Sequence, residues 1–129
     1  LGYGGDLNIA ARRAKEAGTK VNIEILVPKE GFGVWVDSFM IPKDATNIAN
    51  AYKYINDTLD PKVAARNGNF VTYAPASKGA KELMEKDYAD NASIFPSEEQ
   101  LKNGFMMNEI KPDAMKLSTR MWQDIKKGN

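Results

Sequence analysis

The chain has 129 residues, enough for one domain with a hydrophobic core, and its 43% hydrophobic and 27% charged residues are ordinary for a soluble globular protein. Its 18 basic and 17 acidic residues give a net charge of +1, which provides no reason to expect nucleic acid or an anionic membrane as a partner. Histidine and cysteine are both absent, which removes the commonest general base, the commonest metal ligand and every thiol nucleophile. These absences count against many enzyme classes.

The first part of the chain predicts a helix followed by a strand. Asp6 follows a glycine-rich start and is placed to cap a helix over about residues 7–17, which Gly18 can close. Apolar residues then alternate with mostly polar ones over 21–27, the period of a strand. Because the apolar Leu1 runs almost directly into a helix start, we expect a fragment or processed product of a longer protein.

The stretch "GVWVDSF", residues 33–39, predicts a second strand. Strand side chains alternate between faces, so Trp35, Asp37 and Phe39 would share one side. The apolar residues that follow indicate a strand running into a core, where a carboxylate is costly to desolvate unless a partner pairs with it. Asp37 therefore requires either a ligand or a more ordinary explanation, such as a strand-end side chain that reaches water or a backbone amide.

The remaining sequence is predicted to be mostly helical. Capping residues and apolar spacing indicate helices that begin after Asp44 or Thr46, at Pro61, after Ser77, after Ser97 and at Pro112. Between the second and third of these, "NFVTYAPAS" is typical of a short strand and loop. Interspersed strands and helices predict an α/β fold, and three strands are few for a self-contained sheet of that class.

Several residues could carry chemistry, and each also has a structural explanation. Trp35 beside Asp37 would suit an organic cation, because the ring face attracts the charge and the carboxylate pairs with it; both could instead serve packing and solvation. Asp6 could be a plain helix cap. Tyr73 and Tyr3 could line a ligand or pack with exposed hydroxyls. Paired carboxylates could serve acid–base chemistry, but no oxyanion hole or metal cluster accompanies them.

The segments "GYGGDLNIAARRAKEAG", "VNIEILVPKEGFGVWVDSFMIPKDA", "AYKYINDTLDPKVAA", "FVTYAPASKGAKELM" and "LSTRMWQDIKKG" resemble, in this order, the C-terminal part of bacterial polyamine-binding proteins. These are the periplasmic putrescine and spermidine receptors of ABC uptake systems. The resemblance covers essentially the whole chain. Its most specific pieces are "PKEG…W.D…IP.DA" and "TR.W..IK.G".

The resemblance implies a periplasmic binding protein-like (type II, two-lobed) α/β fold that closes on a polyamine, without catalytic residues, metal or cofactor. Motif matching implies that the ligand is held by Asp37, Trp35, Asp6, Tyr3 and Tyr73. The implied partners are the polyamine and the membrane subunits of the transporter. The implied location is the periplasm.

This chain would be an incomplete C-terminal segment of such a protein. Residues 1–36 would belong to the second lobe, 37–73 would cross to the first lobe, and 74–129 would return to the second lobe with the C-terminal helices. The missing N-terminal part of the same protein, or a second copy of the chain, would then cover the open edges.

Departures from the family pattern put the preferred ligand in question. Tyr3 stands where putrescine receptors commonly carry tryptophan, and Val36 replaces an aromatic seen in some of them. Pro75 takes the place of a common asparagine, and Met107 falls about where spermidine receptors can carry glutamine. The alternatives are a receptor of the same fold for another small organic cation or amine and, from a different class, an enzyme using Asp6 and Asp37 or an interaction module that displays the C-terminal helix.

Overall fold

A small parallel sheet is surrounded by helices in the computed structural model, which describes residues 2–106 and 108–128. The elements, in chain order, are α1 (Gly4–Glu16), β1 (Phe32–Val34), α2 (Ile48–Thr58), α3 (Pro61–Val71), a 3-10 helix (Lys81–Leu83), α4 (Lys86–Ala89), α5 (Glu98–Leu101), β2 (Gly104–Met106) and α6 (Pro112–Lys127). The strands β1 and β2 pair in parallel, with Phe32 opposite Gly104 and Val34 opposite Met106. The structure is therefore mixed helix and sheet, with less sheet than the sequence predicts.

Both predicted strands need correction. Residues 21–28 form no regular element, so the strand predicted over 21–27 is wrong. The strand predicted over 33–39 is only Phe32–Val34, and residues 35–40 are exposed rather than buried in a core. Alternating residues favour a strand only when a neighbouring strand supplies hydrogen-bond partners, and within the described ranges β1 pairs only with β2.

The start of α1 also differs from the prediction. The helix begins at Gly4, and the N-cap position belongs to Tyr3, whose side chain makes no capping hydrogen bond. Asp6 lies inside the first turn, where a carboxylate interacts favourably with the helix dipole. The prediction that Asp6 caps the helix is wrong, and its side chain remains available for another role. Gly18, with φ of 62°, follows the helix in the left-handed conformation, as expected.

Helix α3 is longer than predicted, which moves Tyr73. Asp60 caps its start by accepting hydrogen bonds from the amides of Lys62 and Val63, at 2.9 and 3.2 Å. The helix continues through Gly68, whose missing side chain allows Met84 to pack closely. Tyr73 consequently follows the C-terminus of a helix, and the strand predicted for this stretch is wrong.

Three of the other predicted helix starts can be compared directly. Helix α2 begins after Asn47, so neither Asp44 nor Thr46 is its cap. The predicted capping box of Ser97 with Gln100 is confirmed at α5. The predicted start of the last helix at Pro112 is also confirmed.

Ser77 does not begin a helix as predicted, since the next helical element is the 3-10 helix that starts at Lys81. The Ser77 hydroxyl instead donates a hydrogen bond to the carbonyl of Leu59.

The buried core is small. Its main cluster consists of Ala64, Ala65, Ala80 and Met84, against which Phe95 and neighbouring side chains pack, and Ile94 is buried as well. Large apolar side chains elsewhere are exposed, including the row on α6 made by Leu117, Met121, Trp122 and Ile125. The accessible surface is 11079 Å², whereas a compact monomer of 14.3 kDa exposes about 6,800 Å². The chain thus presents extensive surface that a compact protein of its mass would bury.

No helix in the described ranges combines the length and apolar character needed to cross a membrane.

The cap of α3 provides a test of this fold. We expect Asp60→Ala to lower the free energy of unfolding by about 1 kcal/mol, because two amides at the helix start lose their acceptor. Urea denaturation followed by circular dichroism measures the change. Asp57→Ala is the matched control, since Asp57 lies near the C-terminus of α2 and caps no helix start in the described structure. Equal destabilisation by both substitutions would contradict the assigned cap.

Candidate ligand-binding site

Three aromatic rings meet where α1, β1 and α3 approach one another. Trp35 lies between the other two: its ring centroid is 5.2 Å from that of Tyr3 and 6.4 Å from that of Tyr73. Both pairs are edge-to-face, with interplanar angles of 74° and 69°. Tyr3 precedes α1, Trp35 directly follows β1, and Tyr73 follows the residue that ends α3. The rings come from three separate elements, so tertiary structure assembles the cluster.

The two predicted carboxylates lie beside this aromatic cluster. Burial is the main cause that raises the pKa of Tyr73, and the negative charges of Asp6 and Asp37 raise it further. Interaction with the backbone amides of Gly5 and Asp6 acts in the opposite direction. Both carboxylates are therefore close enough to influence the same phenol. The three aromatic residues predicted to hold a ligand meet here, and the two predicted carboxylates act on one of these rings.

The site is open to solvent. Asp6 and Asp37 are both exposed, and Tyr3 and Trp35 retain 61% and 46% of their accessible surface. The predicted desolvation of Asp37 is therefore wrong for this structure, because the carboxylate lies in water. A ligand could reach both acidic groups and the ring faces without displacing any part of the chain.

Phe39 does not join the cluster. Its ring packs edge-to-face against Tyr54 of α2, with centroids 5.7 Å apart. The expectation that Trp35, Asp37 and Phe39 share one strand face fails because β1 ends at Val34, so strand alternation does not extend to Phe39.

Two buried residues that the sequence analysis does not identify, Gly5 and Thr72, contact the site residues from the protein interior. Gly5 is buried, and the ring of Tyr73 lies where a side chain on Gly5 would project. Thr72 is buried, and its hydroxyl donates a 2.8 Å hydrogen bond to the carbonyl oxygen of Gly5. The paired glycines before Asp6 are the sequence signal that could have indicated a close approach, whereas nothing local marks Thr72.

A polar network fixes the other side of α1. The side-chain amide nitrogen of Asn8, Nδ2, donates to the carbonyl of Gly4 and to the hydroxyl of Ser93, both at 2.9 Å. Asn91 donates to the side-chain oxygen of Asn8 at 3.0 Å. Because Asn8 is 7% exposed and its hydrogen bonds are made, its burial is compatible with a stable helix start. The network fixes the end of α1 from which Tyr3 and Asp6 project.

The departures from the family pattern lie at different depths. Val36 is exposed and next to the aromatic cluster in the chain, whereas Pro75 is half-buried. Met107 lies outside the described residues.

Within residues 2–106 and 108–128, no group of three or more acidic side chains is arranged to hold a metal ion. The chemistry offered here is that of carboxylates and aromatic faces, which suits an organic cation.

Comparison with known proteins points to one class, the periplasmic polyamine-binding proteins. No family model matches the chain. The chain is 35% identical to the putrescine-binding periplasmic protein PotF of Escherichia coli over 99% of its own length and 35% of that protein. It is 33% identical to the putrescine-binding periplasmic protein SpuD of Pseudomonas aeruginosa, again over 99% of this chain and 35% of the relative.

A solved structure agrees with these relatives. It is assigned as a spermidine/putrescine ABC transporter from Listeria monocytogenes and superimposes with a TM-score of 0.75 at 27% identity. The superposition covers 92% of this chain and 37% of the other. The predicted resemblance to polyamine-binding proteins of ABC uptake systems is confirmed. The chain spans about a third of the length of the curated relatives it matches.

The electrostatics of the site can be tested through Tyr73. Because carboxylates repel a phenolate, we expect Asp6→Asn to lower the raised pKa of Tyr73 towards the ordinary value of 10.0. A pH titration of phenolate absorbance, taken as the difference from Tyr73→Phe, isolates this group. Asp113→Asn on α6 is the control and should leave the pKa unchanged.

The same raised pKa predicts a pH dependence of stability. The folded chain holds the phenol proton more tightly than the unfolded chain. The associated stability is fully present below the unfolded pKa of about 10 and is lost as the pH rises through the folded value. A Tyr73→Phe chain that shows the same alkaline loss of stability would contradict this assignment.

Proposed function

We propose that this chain is part of the solute-binding component of an ABC importer and captures putrescine- or spermidine-type polyamines. The observation that carries the proposal is the meeting of three aromatic rings at one solvent-open place, with two carboxylates whose charges raise the pKa of one of the tyrosines. The similarity to PotF and SpuD supports it, because both are putrescine-binding periplasmic proteins. Periplasmic location and binding without catalysis are proposed on the same basis.

The residues divide into two roles on this proposal. A polyamine is a flexible methylene chain with ammonium groups, so a site needs carboxylates for the charges and apolar faces for the chain. Asp37 and Asp6 accept hydrogen bonds from the ammonium groups, each a charge-assisted contact worth about 1.5–3 kcal/mol. The faces of Trp35, Tyr3 and Tyr73 contact the methylene chain and neighbouring charge, at about 0.5–2 kcal/mol for each cation–π contact.

The proposed architecture is the two-lobed type II fold, with this chain as an incomplete C-terminal segment. About residues 1–36 belong to the second lobe, residues 37–73 cross to the first lobe, and residues 74–129 return to the second lobe with the C-terminal helices. The missing N-terminal part, or a second copy, completes the cleft and covers the apolar surface. The exposed carboxylates and the large accessible surface support this proposal. The membrane subunits of the transporter are the proposed protein partners.

Removal of one carboxylate tests the site. We expect Asp37→Ala to weaken putrescine binding by about ten- to a hundredfold, because a charge-assisted hydrogen bond to the ligand is lost. Calorimetric titration of putrescine and spermidine into the full-length natural protein measures the effect. Asp113→Ala is the matched control, since that side chain is 99% exposed on α6, and it should leave the affinity unchanged.

The outcomes of this titration are distinct. Unchanged affinity in Asp37→Ala would contradict the assigned site, whereas no polyamine binding by the unaltered protein would contradict the proposed ligand class. The same titration on the 129-residue chain tests completeness: binding that Asp37→Ala removes means that this segment forms a working site. If the 129-residue chain binds no polyamine while the full-length protein does, the cleft needs the remaining sequence.

A second candidate ligand is a different small amine, including one with a guanidinium group. The chain is 28% identical over its whole length to a putrescine/agmatine-binding protein of Pseudomonas aeruginosa, of which it spans 35%. A planar guanidinium stacks on aromatic faces and pairs with a carboxylate through two hydrogen bonds. Thermal-shift screening distinguishes the two ligand classes. Stabilisation by agmatine and by no diamine or polyamine would favour this second candidate.

A further inference from the structure

Thr72 has an unusual backbone conformation next to the candidate site. Its φ of 57° and ψ of 36° are left-handed, which is rare for a residue other than glycine and is disfavoured further by a branched Cβ. It is the only non-glycine residue with positive φ among residues 2–106 and 108–128. Residues held in such conformations persist where surrounding contacts determine them, and they concentrate at functional sites.

Hydrogen bonds hold Thr72 in place. Its amide donates to the carbonyl of Gly68 at 2.7 Å, an i to i−4 bond at the C-terminus of α3. Its hydroxyl lies 2.8 Å from the carbonyl oxygen of Gly5 and 2.7 Å from that of Val71, and the side chain is 1% exposed. The bond to Gly5 joins segments 67 residues apart in the chain. The single hydroxyl proton is shared between these two carbonyls, and loss of the hydroxyl would remove the contact between Thr72 and Gly5.

This bond has a ligand-site residue next to each of its ends. Asp6 follows Gly5, and Tyr73 follows Thr72. The ring of Tyr73 packs directly over Gly5, where an added Cβ would overlap its ring carbons. The bond and the glycine therefore set the position of an aromatic face relative to a carboxylate.

A second tie keeps the two helices in register. The guanidinium of Arg12 on α1 donates to the carbonyls of Asn69 and Phe70 near the end of α3, both at 3.3 Å. These carbonyls lie in the last turn of a helix, where such groups lack intrahelical partners and attract positive charge. Helix α1 is thus fixed to α3 both at its first turn and two turns further along.

We propose that Thr72 and Gly5 are positioning residues for the ligand site. The Thr72 hydroxyl and the bare Cα of Gly5 hold the Tyr73 ring against the start of α1, at a fixed spacing from Asp6. This inference rests on the proposed polyamine site. A ring and a carboxylate that are already in place cost less ordering on binding than mobile ones, so affinity depends on residues that need not touch the ligand.

The first test removes the hydroxyl and keeps the branched shape. In the full-length natural protein, Thr72→Val should weaken putrescine binding about tenfold, as expected for a lost buried hydrogen bond, and Thr72→Ser should restore it. Thr58→Val is the matched control, because the Thr58 hydroxyl makes a 2.7 Å hydrogen bond at the end of α2 away from the cluster. Unchanged affinity in Thr72→Val would overturn the proposal.

A double-mutant cycle separates positioning from general destabilisation. If Thr72 acts through the Tyr73 ring, Thr72→Val should have little further effect on affinity once Tyr73 is replaced by alanine. Combined with Asp37→Ala, the loss from Thr72→Val should instead add fully. Full additivity with Tyr73→Ala would overturn the proposal.

Gly5→Ala gives an independent test if Thr72→Val does not fold. Alanine favours a helix more than glycine does, yet here its Cβ would push the Tyr73 ring away. We expect weaker putrescine binding by the folded protein, whose helix content is checked by circular dichroism. Gly2→Ala is the control, since its nearest neighbour is the flexible side chain of Leu7. Equal affinity in Gly5→Ala and the unaltered protein would count against the proposal.

A ligand-free measurement distinguishes failure of this inference from failure of the proposed function. With 3-fluorotyrosine at position 73, the fluorine resonance should be shifted from that of a solvent-exposed tyrosine. It should move towards that value in Thr72→Val and return in Thr72→Ser. Absence of polyamine binding with this pattern intact contradicts only the proposed function. Polyamine binding with a resonance insensitive to Thr72→Val contradicts only the positioning role.

Discussion

The contact between the start of α1 and the end of α3 determines the geometry of the candidate site. A buried hydrogen bond from Thr72 to Gly5 and the packing of the Tyr73 ring over Gly5 bring these elements together. Arg12 reinforces the contact by donating to carbonyls at the end of α3. Since Tyr3 and Asp6 project from α1 and Tyr73 leaves α3, the relative placement of all three depends on this contact.

The second constraint is exposure. The core of small residues around Met84 is too limited to bury the apolar side chains that the helices present, and the accessible surface exceeds that of a compact monomer by a wide margin. The carboxylates of Asp6 and Asp37 are likewise in water. An open half-site of this kind suits a ligand that is enclosed from the other side, which is how the proposed two-lobed receptor would work. Affinity and closure would then belong to the complete cleft.

Some helix starts could be predicted from the sequence because their signals are local. Asp60 and Pro61, the capping box of Ser97, and Pro112 each act within one turn of the helix they begin. Residues 21–27 have the alternating pattern of a strand but form none in the structure. A strand requires a distant pairing partner, and local composition does not reveal whether one is present. The strand predicted around Tyr73 fails for the same reason, although the sequence does indicate Tyr73 as a candidate site residue.

The sequence by itself determined the chemistry available at the site, namely ring faces and carboxylates without histidine or cysteine, and the resemblance to polyamine-binding proteins. Only the tertiary structure decided that Trp35 contacts both Tyr3 and Tyr73, while Phe39 packs elsewhere. It also revealed Thr72, whose importance lies in a bond to a carbonyl 67 residues away. Local preferences act over a few residues, whereas a binding site is made by contacts between distant ones.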